Sequence, residues 1–210
     1  MMNVLTIDAA SPVPAVCVVS GGRLVEEPLP GDARASEALL PAIGRALAAA
    51  GLDLADCARI AVCAGPGSFT GLRVALATAW GLGRARGIPV EAVSTLEAMA
   101  ESAREAGVRR VVAALDALRG ELVCEEFALD GDRARSLAPA RLLPRGDVRR
   151  AFPGAHVVAL PAGLVPEASE PSRPGVAGAL ARAVQRAPGA FSVEAIYSRP
   201  SAAEEKRGAP

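Results

Sequence analysis

Two short apolar segments, each closed by an aspartate and followed by a turn and a second apolar run, recur in this chain: Leu5-Thr6-Ile7-Asp8-Ala9 and Ala113-Ala114-Leu115-Asp116-Ala117. A strand–acid–turn–strand unit that appears twice restricts the chain to folds built from two copies of one supersecondary motif. Around the first copy, runs rich in β-branched residues predict strands over Val4–Asp8, Ala15–Ser20 and Arg23–Leu29, with Gly21-Gly22 as a two-residue hairpin signal. A helix follows over Ser36–Ala50, with Ser36 as its cap and Gly51 as its stop. Next come a strand at Ile60–Ala64, a helix over Thr70–Arg86 ended by Gly87, a strand at Ile88–Val93, and a helix from Ser94 to about Ala106.

The second round starts at Arg109. Strands are expected at Arg110–Asp116, Glu121–Leu129 and Arg133–Leu143, a short helix at Gly146–Ala151, a strand at Val157–Leu160 and a helix at Gly175–Arg186. Residues 161–174, rich in Pro, Gly, Ser and Glu, read as a long loop, so the second copy looks incomplete. The expected fold is α/β, with two ribonuclease-H-like βββαβα halves of the actin/hexokinase-like (ASKHA) type. They divide at residues 1–107 and 108–210, the second half being reduced and ending in a flexible tail.

Composition narrows the function classes. Hydrophobic residues make up 51% and charged residues 22%, as in ordinary globular proteins. Aromatics at 3% leave almost nothing for stacking on bases. Lys plus Arg and Asp plus Glu balance at 23 each, whereas a protein that grips RNA alone carries a basic excess. Cys17, Cys57, Cys63 and Cys124 are widely spaced and read as reduced, buried thiols. Asp8 interrupts the only apolar run near the N-terminus, so no signal peptide is expected; no apolar stretch reaches the ~20 residues of a membrane span. A cytoplasmic protein with no membrane association is the expectation.

The segment Gly65-Pro66-Gly67-Ser68-Phe69-Thr70-Gly71 joins a predicted strand to a predicted helix. Free N–H groups at a helix start favour anions, so Gly65, Gly67, Ser68, Thr70 and Gly71 form one candidate site; a tight structural turn is the equal alternative. Ser68 or Thr70 is the expected helix cap. The Walker phosphate loop is excluded because the segment contains no lysine, and the G-x-S-x-G elbow because Pro66 and Thr70 flank Ser68. A dinucleotide fingerprint comes nearer, with Gly65, Gly67, Gly71 and an acid, Glu91, further on.

The wider text resembles one family. Gly-Pro-Gly-Ser-Phe-Thr-Gly-Leu-Arg-Val (residues 65–74) is similar to the TsaB signature. Ile7-Asp8-Ala9, Ser36-Glu37-x-Leu39-Leu40-Pro41-x-Ile43, Val93-Ser94-Thr95-Leu96 and Leu115-Asp116-Ala117-x-Arg119-Gly120-Glu121 agree with it in order, as does Tyr197-x-Arg199-Pro200 near the end. The resemblance covers roughly residues 3–125 well and the remainder thinly. It implies a non-catalytic subunit that pairs with a TsaD-like catalytic paralogue, or with itself when that partner is absent. The assembly, joined by a TsaE-like ATPase, transfers threonylcarbamoyl to N6 of adenosine 37 in tRNA, with tRNA held only through the complex.

The residues agree with a loss of chemistry. TsaD holds a metal with a His-x-x-x-His pair on its first helix, whereas the matching stretch here is Arg34-Ala35-Ser36-Glu37-Ala38. The only histidine, His156, lies far away in sequence, so no metal, cofactor or catalytic residue is expected. Asp8 and Asp116 stand where phosphotransferases of the superfamily carry magnesium-linked acids and are read here as structural. The two first helices are apolar or small nearly all round, more than a sheet-covering helix needs. Leu39, Ile43, Arg73, Ala77, Trp80 and Arg84 are the expected partner contacts. The competing readings are an ATP-dependent phosphotransferase of the same superfamily and an NAD(P)-binding oxidoreductase.

Overall fold

A run such as Val-Leu-Thr-Ile-Asp, apolar on both faces, belongs at the centre of a sheet covered on both sides. In a computed structural model that describes residues 2–30, 34–169 and 175–189, it does lie there. Strand β1 (Val4–Asp8) is buried throughout; it pairs antiparallel with β2 (Ala15–Ser20) and parallel with β4 (Arg59–Cys63). With β3 (Arg23–Pro28) and β5 (Val90–Val93) the first sheet has the order β3-β2-β1-β4-β5.

Helix α1 (Ala35–Ala50) joins β3 to β4, and α2 (Phe69–Arg86) joins β4 to β5. Both pack against the first sheet, α1 on β2 and β3, α2 on β4, β1 and β5. Leu39, Ala42, Ile43, Ala46 and Leu47 form the sheet-facing stripe of α1. The helix starts one residue earlier than expected, so Ser36 lies inside its first turn. Arg34 holds the cap position without a side-chain bond. Ser68 does cap α2, accepting from the Gly71 amide at 3.2 Å, and Ser94 caps α3 (Thr95–Ser102). Helix α3 is shorter than expected: it ends at Ser102, and a 3₁₀ turn at Arg104–Ala106 completes the segment.

The second sheet repeats the first. Strand β6 (Arg110–Asp116) pairs antiparallel with β7 (Glu121–Ala128) and parallel with β10 (His156–Leu160), as β1 does with β2 and β4. The expected strand Arg133–Leu143 is split into β8 (Arg135–Ser136) and β9 (Arg141–Pro144), both paired with β7. Pro139 lies between them, and a proline cannot donate to the ladder. The one-turn helix α4 (Val148–Ala151) and apolar residues of the loop after β10 cover the outer face of this sheet through Val148, Phe152 and Val165. The resulting architecture is the actin/hexokinase-like α/β fold with a reduced second half. The tail and Tyr197-x-Arg199-Pro200 lie outside the described residues.

Each half lends a helix to the other. Helix α5 (Gly175–Arg186), at the end of the second half, packs on β1 and β2, where Ala177 and Ala181 meet Ala15, Cys17 and Val19. Thr6 donates to the Ala177 carbonyl at 2.8 Å. In return α3, buried along its whole length, packs on β6 and β7 as well as on α5. An ionic cluster closes this crossing. Glu101 of α3 accepts from Arg104 at 2.8 Å, from the Ala134 amide at 2.5 Å, and from Arg186 of α5. One turn earlier on the same helix, Glu97 pairs with Arg133 at 2.6 Å. Burial pushes the Glu97 carboxyl up, against the pull of Arg133.

Removing Glu101 leaves two part-buried guanidinium groups without their carboxylate and a buried amide without its acceptor. Glu101→Ala is expected to lower unfolding free energy by about 3 kcal/mol, the lower end for a broken buried pair because both arginines still reach water. Urea denaturation measures this, and an unchanged midpoint would mean that the cluster does not hold the halves together.

Candidate functional site

The loop from Ala64 to Ser68 crosses the C-terminal end of β1 at backbone distance. The Ser68 amide donates to the Ala10 carbonyl at 2.8 Å, and the Thr95 amide to the Gly65 carbonyl at 2.7 Å. A Cβ on Gly67 would sit 2.2 Å from the Ala10 carbonyl oxygen, and one on Gly71 1.8 Å from that of Ala9. These glycines are therefore required by the close approach of two backbones. At the helix start, the Gly71 amide is taken by Ser68 Oγ, and the Leu72 amide by the Ser68 carbonyl.

Asp8 holds the other side of this crossing. Its Oδ1 accepts from the Ala10 and Ser11 amides, each at 3.0 Å, and its Oδ2 accepts from the Ser11 hydroxyl at 2.5 Å. The residue is fully enclosed, and burial pushes its carboxyl above the ordinary carboxylate range, opposed by these bonds. Asp116, its counterpart, accepts from the Leu118 amide and from Arg145, each at 3.0 Å. Both aspartates are thus engaged with the chain's own donors. Between the β1–β2 turn and the start of α2 lies a pocket of about 280 Å³, lined by Ser11, Pro12, Ser68 and Thr70 among others. It is just below the range of ~300–1,000 Å³ usual for ligand pockets.

The acid of the dinucleotide-like spacing is committed elsewhere. Glu91 lies within β5, and its Oε1 accepts from Arg59 and from the Gly189 amide, each at 2.9 Å. His156 begins β10, where its Nε2 meets the Ser169 hydroxyl at 3.0 Å. All four cysteines are free and buried, and burial raises the thiols, Cys17 to about 12 and both Cys57 and Cys124 to about 11. Among the described residues no group of three His, Cys, Asp or Glu side chains is placed to hold a metal ion. No helix among them is long and apolar enough to cross a membrane.

The predicted contact residues separate into two sets. Leu39 and Ile43 are only 1% and 4% exposed, because their stripe of α1 faces the sheet; this corrects the expectation that they line an outer face. Arg73, Ala77, Trp80 and Arg84 are all exposed along the outward side of α2, with Trp80 at 45%. The neighbouring outward stripe of α1 consists of Leu40, 57% exposed, with Pro41, Gly44 and Ala48. Leu40 was visible in the sequence but was hidden among equally apolar neighbours. Ala35 and Thr70 line the same pocket, so α1 and α2 begin at the same end and run side by side.

Gly44 and Gly81 add a separate observation. Both lie in helix interiors on this outward side, and a Cβ at either would meet nothing within 4 Å. Glycine in a helix costs about 1 kcal/mol relative to alanine, and the packing of this subunit gives no reason for it here.

Comparison with known proteins places these features. A family model described as TsaD, tRNA N6-adenosine threonylcarbamoyltransferase, matches residues 29–148. The solved structure of YeaZ from Pseudomonas aeruginosa superposes with a TM-score of 0.66 at 31% identity, over 76% of this chain and 75% of that one. The tRNA threonylcarbamoyladenosine biosynthesis protein TsaB of Escherichia coli is 35% identical over 130 residues, 61% of this chain. The chain belongs to the TsaB/YeaZ family. The match spans 56% of the Escherichia coli protein, little more than half its length. An uncharacterized protein of Mycobacterium bovis is 37% identical over 186 residues, 85% of this chain and 83% of its own. The glycine signature at the β1–α2 crossing lies within the residues that the family model matches.

Two outcomes are expected. Gly71→Ala drives a Cβ into the Ala9 carbonyl and should destabilise by about 3 kcal/mol, while Gly81→Ala should stabilise by up to about 1 kcal/mol; thermal melts of the two variants decide it. For Asp8 the raised value means that its contribution is complete below the ordinary aspartate pKa and is lost as pH rises through the folded one. The stability of the native protein relative to Asp8→Asn should therefore fall as pH rises above about 4, the ordinary aspartate pKa. Urea titrations at several pH values would expose the opposite trend.

Proposed function

We propose that this protein is a non-catalytic scaffold subunit in tRNA threonylcarbamoyladenosine biosynthesis. Its outward α1–α2 face docks a TsaD-type subunit, which carries out the transfer to N6 of adenosine 37. The observation that carries the reading is the pair of open glycines, Gly44 and Gly81, beside the exposed Trp80. Small residues at mid-helix let another helix approach closely, and a half-exposed tryptophan provides an anchor for it. The names of the relatives supply the pathway, and the family model that matches is that of the catalytic subunit.

The chemistry of the interior supports a scaffold over a phosphotransferase. The carboxylates that would serve a magnesium ion in such an enzyme are taken up here, Asp8 by two amides and a hydroxyl, Asp116 by Arg145 and an amide. The Ser68 and Gly71 amides, which would face an anion, are spent on the Ala10 carbonyl and on Ser68 Oγ. The glycine loop thus acts as the fixed root of the docking helix. A TsaE-like ATPase and tRNA join through the assembled complex, and a second copy of this chain is the alternative occupant of the face when the TsaD-type subunit is missing.

Co-purification with a TsaD-type protein, followed by a tRNA-modification assay with and without this chain, tests the proposal. Trp80→Glu and Ala77→Arg should each remain folded by circular dichroism, lose the partner in pull-down, and reduce modification at least tenfold. A folded Trp80→Glu variant that retains the partner would sink the docking reading.

A further inference from the structure

Charge on the docking face selects the kind of partner it takes. At least ten arginines among the described residues pair with a carboxylate of this chain, among them Arg45 with Glu27, Arg59 with Glu91, Arg110 with Glu126, Arg133 with Glu97 and Arg145 with Asp116. Helix α2 breaks this habit. Its eighteen residues contain Arg73, Arg84 and Arg86 and no carboxylate, and all three arginines are exposed. None of them has a carboxylate partner among the described residues; Arg73 instead lies over the Phe69 ring, 3.9 Å from its centre. On the adjoining helix, Arg45 is already paired, and the single acid, Glu37, lies 3.7 Å from Arg34.

A chain with zero formal net charge that leaves three arginines around one exposed apolar strip has concentrated positive potential there. A second copy of this chain matches that potential badly. A two-fold axis along the facing helices sets them parallel, and one across them sets them antiparallel. With α2 against α2, Arg73 of one copy then faces either Arg73 or Arg84 of the other. With α1 against α2, each helix pair offers one carboxylate, Glu37, to three arginines. Like charges across an interface suppress association, and opposite ones speed and direct it.

We infer that Arg73, Arg84 and Arg86 are the specificity-determining rim of the docking face, which takes a different protein bearing carboxylates around an apolar helix surface in preference to a second copy of this chain. This rests on the docking reading above and adds to it what distinguishes hetero-association from self-association. The apolar strip supplies contact, and the arginines supply selection.

The full-length chain and a TsaD-type subunit are the materials for the test. Binding measured by calorimetry should weaken roughly tenfold or more between low and high NaCl. The double reversal Arg73→Glu/Arg84→Glu, folded by circular dichroism, should lose at least tenfold in affinity for the TsaD-type subunit. Mixed with the native chain, it should form 1:1 pairs in sedimentation that are tighter than self-association of the native chain. Salt-independent binding together with full affinity of the reversed variant would overturn the inference, and so would a native self-association tighter than the hetero-pair at low salt. If Trp80→Glu abolishes binding while the reversal does not, only the charge inference fails; if neither disturbs binding, the docking face itself is wrong.

Discussion

The end of β1 and the start of α2 meet backbone to backbone, and much of the first half depends on that meeting. The Ala9 and Ala10 carbonyls occupy the volume where side chains of residues 71 and 67 would be, and the Ser68 amide bonds the second of them. Asp8 makes the approach possible by folding the chain back over Ala10 and Ser11. That is an unusual use of a buried carboxylate, since burial disfavours its charge and the Ser11 hydroxyl, the Ser11 and Ala10 amides and the Cys63 thiol offset only part of the penalty. The crossing fixes where α2 begins and which of its sides faces the sheet, and so determines the set of residues left pointing outward.

A second constraint works between the halves. Neither sheet keeps its own last helix: α5 covers β1 and β2, and α3 lies on β6 and β7. Such an exchange leaves polar groups of both helices in the interior, where each needs a partner. Glu101 and Glu97 meet the need by collecting Arg104, Arg133 and Arg186 from three separate segments. The reduced second half, with a one-turn helix and a loop over its outer sheet face, is thereby tied to the fuller first half.

The repeat, the strands and the three main helices could be read from the sequence because they are encoded locally, in alternation, helical periodicity, Gly51 and Gly87. What could not be read was mostly a matter of direction or distance. Leu39 and Leu40 are chemically identical neighbours, and only the rotation of α1 on its sheet buries one and exposes the other. Ser36 looked like a cap, yet the helix starts at Ala35, and residue preferences at caps do not fix a boundary to one position. The Glu101–Arg186 bond joins residues far apart in sequence, and Arg145 reaches Asp116 from the far side of a hairpin; no local pattern announces either. Of the candidate site, the four outward residues of α2 were legible because that helix has more apolar surface than one sheet can cover.

Backbone packing alone is enough to hold the glycine signature in place. Gly67 and Gly71 cannot gain a side chain without separating β1 from α2. A protein that lost phosphate binding would still be held to this loop by packing alone. Gly44 and Gly81 are different, because nothing inside the subunit opposes a side chain there. Selection for stability would replace them with better helix formers, by a margin of about 1 kcal/mol each. Glycines enforced from within therefore mark the root of α2, and glycines with no internal reason mark the face proposed above to dock a partner helix.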